Sequence, residues 1–176
     1  MIIGIDPSYS GTGICITNDD ATEIYYMEKF VSGVSVFEKQ GYMVGCKRIY
    51  ERIFDIMQRM HDENLSDKVY VVVEYPGFRS ISGAWLSILH GYLCSLFDTI
   101  CVPIDELVWI PPTACDSYTK NKEHKKSYLT KYCVDKGWVA KKVNHDISTA
   151  LIFCHLYLDI RDGKYKGVVY RYRREP

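Results

Sequence analysis

The chain opens on a short apolar run, Ile2-Ile3-Gly4-Ile5, that closes on Asp6, and the turn-forming stretch Pro7-Ser8-Tyr9-Ser10-Gly11 follows it. This reads as a strand over 2–6, a turn and a second strand over 12–17. Asn18-Asp19-Asp20 supplies the next turn, and the β-branched and aromatic content of 23–30 predicts a third strand. The period then changes. Ile49, Ile53, Ile56 and Met60 recur at spacings of three and four among Lys47, Arg48, Glu51, Arg52 and Arg59, which predicts an amphipathic helix over 44–60. Val69-Tyr70-Val71-Val72-Val73-Glu74 is a nearly continuous β-branched run closed by an acid, the pattern of a strand covered on both faces in a parallel arrangement. A helix over 82–97 follows from the stripe Trp85, Ile88, Leu89, Tyr92, Leu93 and Leu96, then short strands over 99–102 and 107–110 before Pro111-Pro112 breaks the chain. Helices over 125–133 and from near Asp146 to about Ile160 complete the order. Strands first, then helices alternating with strands, predict an α/β sheet of mixed strand directions.

A length of 176 residues fits a single domain, with 47% apolar and 25% charged residues, the balance of a globular protein. No long uncharged apolar stretch occurs, and the first residues lack the basic segment of a secretory signal, so a cytoplasmic protein with no membrane partner is expected. The seven cysteines are scattered, mostly in apolar runs, without CxxC spacing. They read as buried reduced thiols rather than a zinc site or a disulfide framework.

The formal net charge is zero, but its distribution is uneven. Lysines dominate 120–142, and Arg171-Tyr172-Arg173-Arg174 extends the basic character to the C-terminal third, interleaved with tyrosine. This suits phosphate contacts and base stacking, and equally a pair of solvated faces.

Three acids occupy telling positions: Asp6 closes the first strand, Glu74 closes the fourth, and Asp146 begins the last helix. Strand ends on one edge of a sheet share a crevice, and a helix start can bring in a third carboxylate. Hard oxygen donors gathered there make a Mg²⁺ or Mn²⁺ site, and without a cation such carboxylates repel one another and take up protons. Taken singly, each has a structural alternative: a turn former, or a helix N-cap at Asp146.

With these residues in view, the chain resembles the RuvC-type Holliday-junction resolvases of the RNase H-like superfamily. Ile3-Gly4-Ile5-Asp6-Pro7-Ser8-Tyr9-Ser10-Gly11-Thr12-Gly13 is similar to that family's N-terminal signature and Val72-Val73-Glu74 to its second acidic strand. His90-Gly91 matches the place of a basic residue and glycine in its central helix. Trp109-Ile110-Pro111-Pro112-Thr113 resembles its proline-threonine turn, Lys126 falls where it has a functional lysine, and Asn144-His145-Asp146-Ile147-Ser148-Thr149-Ala150-Leu151 resembles its closing acidic helix.

The resemblance implies an RNase H-like α/β fold: a mixed five-stranded sheet, three antiparallel strands then parallel ones, flanked by helices. It implies endonucleolytic hydrolysis of branched DNA, four-way junctions above all, with two Mg²⁺ ions (Mn²⁺ substituting) held by Asp6, Glu74 and Asp146, Asp6 being shared. The products would carry a 5′-phosphate and a 3′-hydroxyl. Lys126 would neutralise charge on the phosphate or anchor the strand. A homodimer would match two symmetric scissile strands, with the 82–97 helix as interface or as ordinary core. Compact size and high tyrosine content point to a phage or mobile-element version.

One departure stands out: the family's last motif carries two acids three residues apart, and Thr149 occupies the second place. A hydroxyl there contributes no charge, so His145 or a shifted register must compensate, or metal affinity falls. His145 is a candidate for proton transfer or ligation, or a solvent-facing helix-start residue. After the second acid, Phe78 first and Tyr75 second are candidates to wedge between bases beside Arg79, or are core; Lys120, Lys122, Lys125 and Lys126 are candidate phosphate contacts.

Ser, Cys and His triads, a GxxxxGK[ST] loop and HExxH are absent, so no nucleotide cofactor is expected. A sugar-kinase-like phosphotransferase would need a second lobe. A junction-binding protein that has lost turnover, or a nuclease for flaps or RNA–DNA hybrids, remains open at this point.

Overall fold

Side-chain alternation along the strands decides where the chain's layers lie. In a computed structural model, which describes the chain outside residues 9–10, 35–40, 64, 66–67, 76–86, 96–103 and 174–176 and the side chain of Tyr42, strands β1 (Ile2–Asp6), β2 (Thr12–Thr17) and β3 (Ile24–Phe30) form an antiparallel set. Strand β4 (Tyr70–Glu74) joins β1 in parallel and β5 (Glu106–Ile110) joins β4 in parallel. The order across the sheet is β3-β2-β1-β4-β5-β6. The helices are α1 (Gly41–Asp62), α2 (residues 87–95), α3 (Ala114–Thr119), α4 (Lys126–Asp135) and α5 (His145–Arg161).

Because successive strand residues face opposite sides, Ile3, Ile5, Ile14, Ile16, Val71 and Val73 pack under Ile49, Ile53 and Ile56 of α1 and Leu89 and Leu93 of α2. The residues between them, Ile2, Cys15, Val72, Val108 and Ile110, pack with Leu151, Phe153, Cys154 and Tyr157 of α5 and Leu129 and Cys133 of α4. Cys15, Cys46, Cys115, Cys133 and Cys154 are buried thiols, as expected; Cys94 is exposed, against that expectation, and Cys101 lies outside the described residues. No described helix is long and apolar enough to cross a membrane.

Among the described residues the sheet has six strands rather than five. The added β6 (Tyr170–Arg173) runs antiparallel to β5, pairing Glu106 with Arg173 and Val108 with Arg171. Its exposed Tyr-Arg-Tyr-Arg sequence carries no apolar face, so it read as a basic tail. Two of that tail's arginines are committed elsewhere: Arg171 Nε bonds Glu106, and Arg173 Nε lies 3.0 Å from the same carboxylate oxygen. The expected strand over 99–102 lies outside the described residues, as do Phe78 and Arg79.

Helix α5 lies unusually close to the sheet, and two glycines permit it. A Cβ on Gly4 would stand 2.0 Å from the Ala150 carbonyl oxygen, and one on Gly13 the same distance from that of Asp146. Gly13 is the register partner of Asp6, so the first turn of α5 rests directly beside the end of β1.

Candidate active site

Asp6, at the end of β1, has the same parity as Gly4 and therefore faces α5. Glu74 closes the parallel neighbour β4 with the parity of Val72 and faces the same way; Ile5 and Val73 are in register one residue earlier. Asn144 caps α5, its side-chain oxygen accepting the Asp146 N–H at 2.8 Å. Asp146 is thereby released from the capping role that its position allowed.

A crevice of about 190 Å³ is lined by Asp6, Glu74, Asp116, His124, Lys126, His145 and Thr149 among others. One carboxylate or ring atom from each of Asp6, His145 and Asp146 lies within 4.8 Å of the others. Glu74 lines the same crevice and acts electrostatically on Asp6, but stands outside that tight group, on the side of Asp116, whose charge it feels. Of the three expected acids, Asp6 and Glu74 line this crevice, and Asp146 joins Asp6 in a tight cluster whose third member is His145 rather than Glu74.

Burial first, then the neighbouring charges of Glu74 and Asp146, push the Asp6 carboxyl well above the usual carboxylate range, against smaller opposing effects of the Thr149 hydroxyl and Lys126. Burial and Asp116 push Glu74 up to about 7. Asp146 is the opposite case. Burial works upward there too, but Lys29 and His145 together hold it below its ordinary value. The Lys29 ammonium is 2.7 Å from Asp146 Oδ2 and His145 Nδ1 is 3.1 Å from Oδ1. Lys29 reaches across from β3 over Gly11, where a Cβ would stand 2.2 Å from the lysine Cε.

Thr149 is buried, its hydroxyl donating to the His145 carbonyl at 3.1 Å. Lys126 opens α4 and faces the crevice. Lys120, Lys122 and Lys125 are exposed on the connection from α3 to α4, with Lys125 paired to Glu123. Tyr75 is half-buried, its ring 6.5 Å edge-on from Trp109 and 5.5 Å from Tyr170. His90 differs from the basic residue its position suggested: it is buried, 4.7 Å from the Trp109 ring, and burial pushes it down to about 4, leaving it neutral.

Sequence reading missed Lys29, Asp116 and His124. Lysine in an edge strand reads as solvent-facing, and Asp116 sits in a helix of six residues, too short for periodicity to mark a face. An acid and a histidine within an otherwise lysine-rich segment were the available signal.

A mixed sheet with an antiparallel leading half, acids at the ends of its two central parallel strands and a closing helix laid across them defines the RNase H-like class of α/β fold. Within that class the fold is that of RuvC. The structure of Thermus thermophilus RuvC in complex with a Holliday junction substrate superposes with a TM-score of 0.61 at 15% identity, over 93% of this chain and 96% of that one. A second T. thermophilus RuvC structure gives 0.60 at 17% identity over the same shares. The yeast mitochondrial Holliday junction resolvase Ydc2 gives 0.56 at 11% identity, over 93% of this chain and 81% of that one. No family model and no curated protein matches the sequence.

Proposed function

We propose that the chain is a Mg²⁺-dependent endonuclease, Mn²⁺ substituting, that cuts branched DNA and four-way junctions in particular, leaving a 5′-phosphate and a 3′-hydroxyl. The observation that carries this reading is the pairing of two acids with raised proton affinity, Asp6 and Glu74, in one crevice beside Asp146 on a RuvC scaffold. Burying carboxylates without a counter-charge is costly, and a divalent cation removes that cost.

The donor set fits such an ion. Oxygen donors from Asp6, Glu74 and Asp146 suit Mg²⁺ or Mn²⁺, and the His145 ring, grouped with Asp6 and Asp146, supplies a donor where Thr149 brings no charge. Two ions held there would supply Lewis-acid chemistry, activating water and offsetting charge on the phosphate. The chain's own residues do the rest. Lys126 neutralises the scissile phosphate, and Lys120, Lys122 and Lys125 hold the flanking backbone. Phe78, Tyr75 and Arg79 follow directly on Glu74 and engage bases next to the cut strand. A homodimer would set two crevices against the two symmetric scissile strands.

The test is cleavage of a synthetic four-way junction in Mg²⁺ and in Mn²⁺ beside linear duplex, flap and RNA–DNA hybrid, for the parent chain and Asp6→Asn, with junction affinity and solution mass measured alongside. Junction cleavage lost in Asp6→Asn supports the reading; preferential cutting of hybrid or flap replaces the substrate. The Lys29–Asp146 ion pair favours one second reading, a junction-binding protein without turnover, and binding without cutting by the parent chain would establish it.

A further inference from the structure

The connection from α3 to α4 is built more tightly than a surface loop requires. Asn121 is buried, and its side chain is fully used: Nδ2 donates to Asp116 Oδ1 at 2.7 Å and to the Lys125 carbonyl at 3.2 Å, while Oδ1 accepts the Lys125 N–H at 3.3 Å. Its backbone N–H donates to the Asp116 carbonyl at 2.8 Å, and its own carbonyl accepts from His124 at 3.3 Å. His124 is thereby held at φ 51°, a left-handed conformation that a non-glycine residue keeps only where its surroundings impose it, and such residues concentrate at functional sites. The result is an oriented imidazole. His124 Nδ1 lies 2.6 Å from Asp116 Oδ2, which leaves Nε2 as the outward nitrogen, and both residues line the crevice that contains Asp6 and Glu74.

We propose that His124, oriented by Asp116, donates the proton to the leaving 3′-oxygen of the cut strand. This rests on the nuclease reading above. Water attacks phosphorus and the P–O3′ bond breaks, its electron pair staying on O3′. That oxygen takes the Nε2 proton of the imidazolium, the proton of the attacking water passes to solvent, and the neutral ring is reprotonated from solvent. The division of labour follows from placement: His145 stands with Asp6 and Asp146 at the start of α5, whereas His124 enters from the α3–α4 connection, and in-line displacement needs groups on two sides of the phosphorus. The titratable groups sharing the crevice with His124 are Asp116, Glu74, Asp6, Cys115, Lys126 and His145.

The experiment compares His124→Gln and Asp116→Asn with the parent chain on a junction carrying either a normal phosphodiester or a sulfur in place of the bridging 3′-oxygen, in Mn²⁺. A 3′-thiolate leaves without being protonated. His124→Gln is expected to melt like the parent, and both variants to bind junctions like it, to cut the oxygen substrate about a hundredfold more slowly, as for a lost general acid, and to match the parent on the sulfur substrate. In the metal-free protein, Asp116→Asn should alter the side-chain nitrogen resonances of His124. Undiminished cleavage by His124→Gln, a loss that sulfur does not repair, or His124 resonances indifferent to Asp116→Asn would overturn the proposal. A parent chain that cuts no junction would overturn the underlying reading instead.

Discussion

Glu74→Gln should make the metal-free protein more stable while removing a ligand. Burial and the nearby charge of Asp116 push this carboxyl up to about 7 from its ordinary 4.5. In the unfolded chain it ionises near its ordinary value, so between there and about 7 the native state holds the extra proton and stability falls as pH rises. At about 1.36 kcal/mol per pH unit, the full penalty above that range is about 3 kcal/mol. Below the ordinary value both states are protonated and the penalty vanishes. Glutamine keeps the shape without the charge. Relieved of Glu74, Asp6 should ionise more easily as well, since Glu74 is among the causes of its raised proton affinity. Urea unfolding in chelator, followed by tryptophan fluorescence, should therefore place Glu74→Gln about 3 kcal/mol above the parent at about pH 8 and close to it at about pH 4.5. Mn²⁺ should reverse the ranking by stabilising the parent more, about 4.1 kcal/mol at roughly a thousandfold excess over its Kd. Equal stability of the two metal-free proteins under alkaline conditions, or a variant less stable there, would refute the assignment of Glu74 as an uncompensated, half-buried acid.

The glycine beside Asp6 gives a steric counterpart: in Gly13→Ala the new Cβ would lie 2.0 Å from the Asp146 carbonyl oxygen, so α5 must move, at about 1–3 kcal/mol. A lowered melting temperature together with lost Mn²⁺-induced stabilisation is expected. At the opposite end of β5, Glu106 is buried and held below its ordinary value, burial opposing, by Arg171, Arg173 and Tyr157. Its contribution is thus present at neutral pH and lost as pH falls below 4.5. Because Arg173 is largely exposed, Glu106→Gln should cost about 1–2 kcal/mol, read by denaturant unfolding at neutral pH, with the difference shrinking in acid.

The positions of the acids at 6, 74 and 146 were legible because each closes a short apolar run or opens a long apolar helix. Their placement at strand ends on one edge of the sheet pointed to a shared crevice for Asp6 and Glu74. What escaped the sequence was of two kinds. Strand β6 has no apolar side, and what holds it, Glu106, lies more than sixty residues away in the chain, so local pattern carried no trace of the pairing. Asp116 and His124 depend on Asn121 folding a lysine-rich connection back on itself, and a polar turn of this kind has no period to read. The glycines at 4 and 13 were visible as a motif, but their reason, the close approach of α5, belongs to tertiary packing.

Charge within the crevice is unevenly compensated, and this separates the proposed metal positions. Asp146 already has a cation, the Lys29 ammonium at 2.7 Å, with His145 on its other oxygen; among the described residues Asp6 and Glu74 have no ion-pair equivalent, and both are pushed toward the protonated state. An ion held by Asp6 and Glu74 relieves that strain directly, whereas one held by Asp6 and Asp146 must first displace a lysine and cannot draw on a fourth carboxylate at Thr149. Binding should accordingly be of two strengths. Removing the competitor with Lys29→Met should tighten the weaker class and leave the stronger unchanged, by about tenfold if the ion pair is worth about 1.4 kcal/mol at its one-third exposure. Mn²⁺ titration followed by electron paramagnetic resonance reads both classes on the metal-free protein without requiring cleavage. A single class in the parent chain, or a Lys29→Met protein whose weaker class binds no better, would show that Lys29 does not guard Asp146 against a second ion.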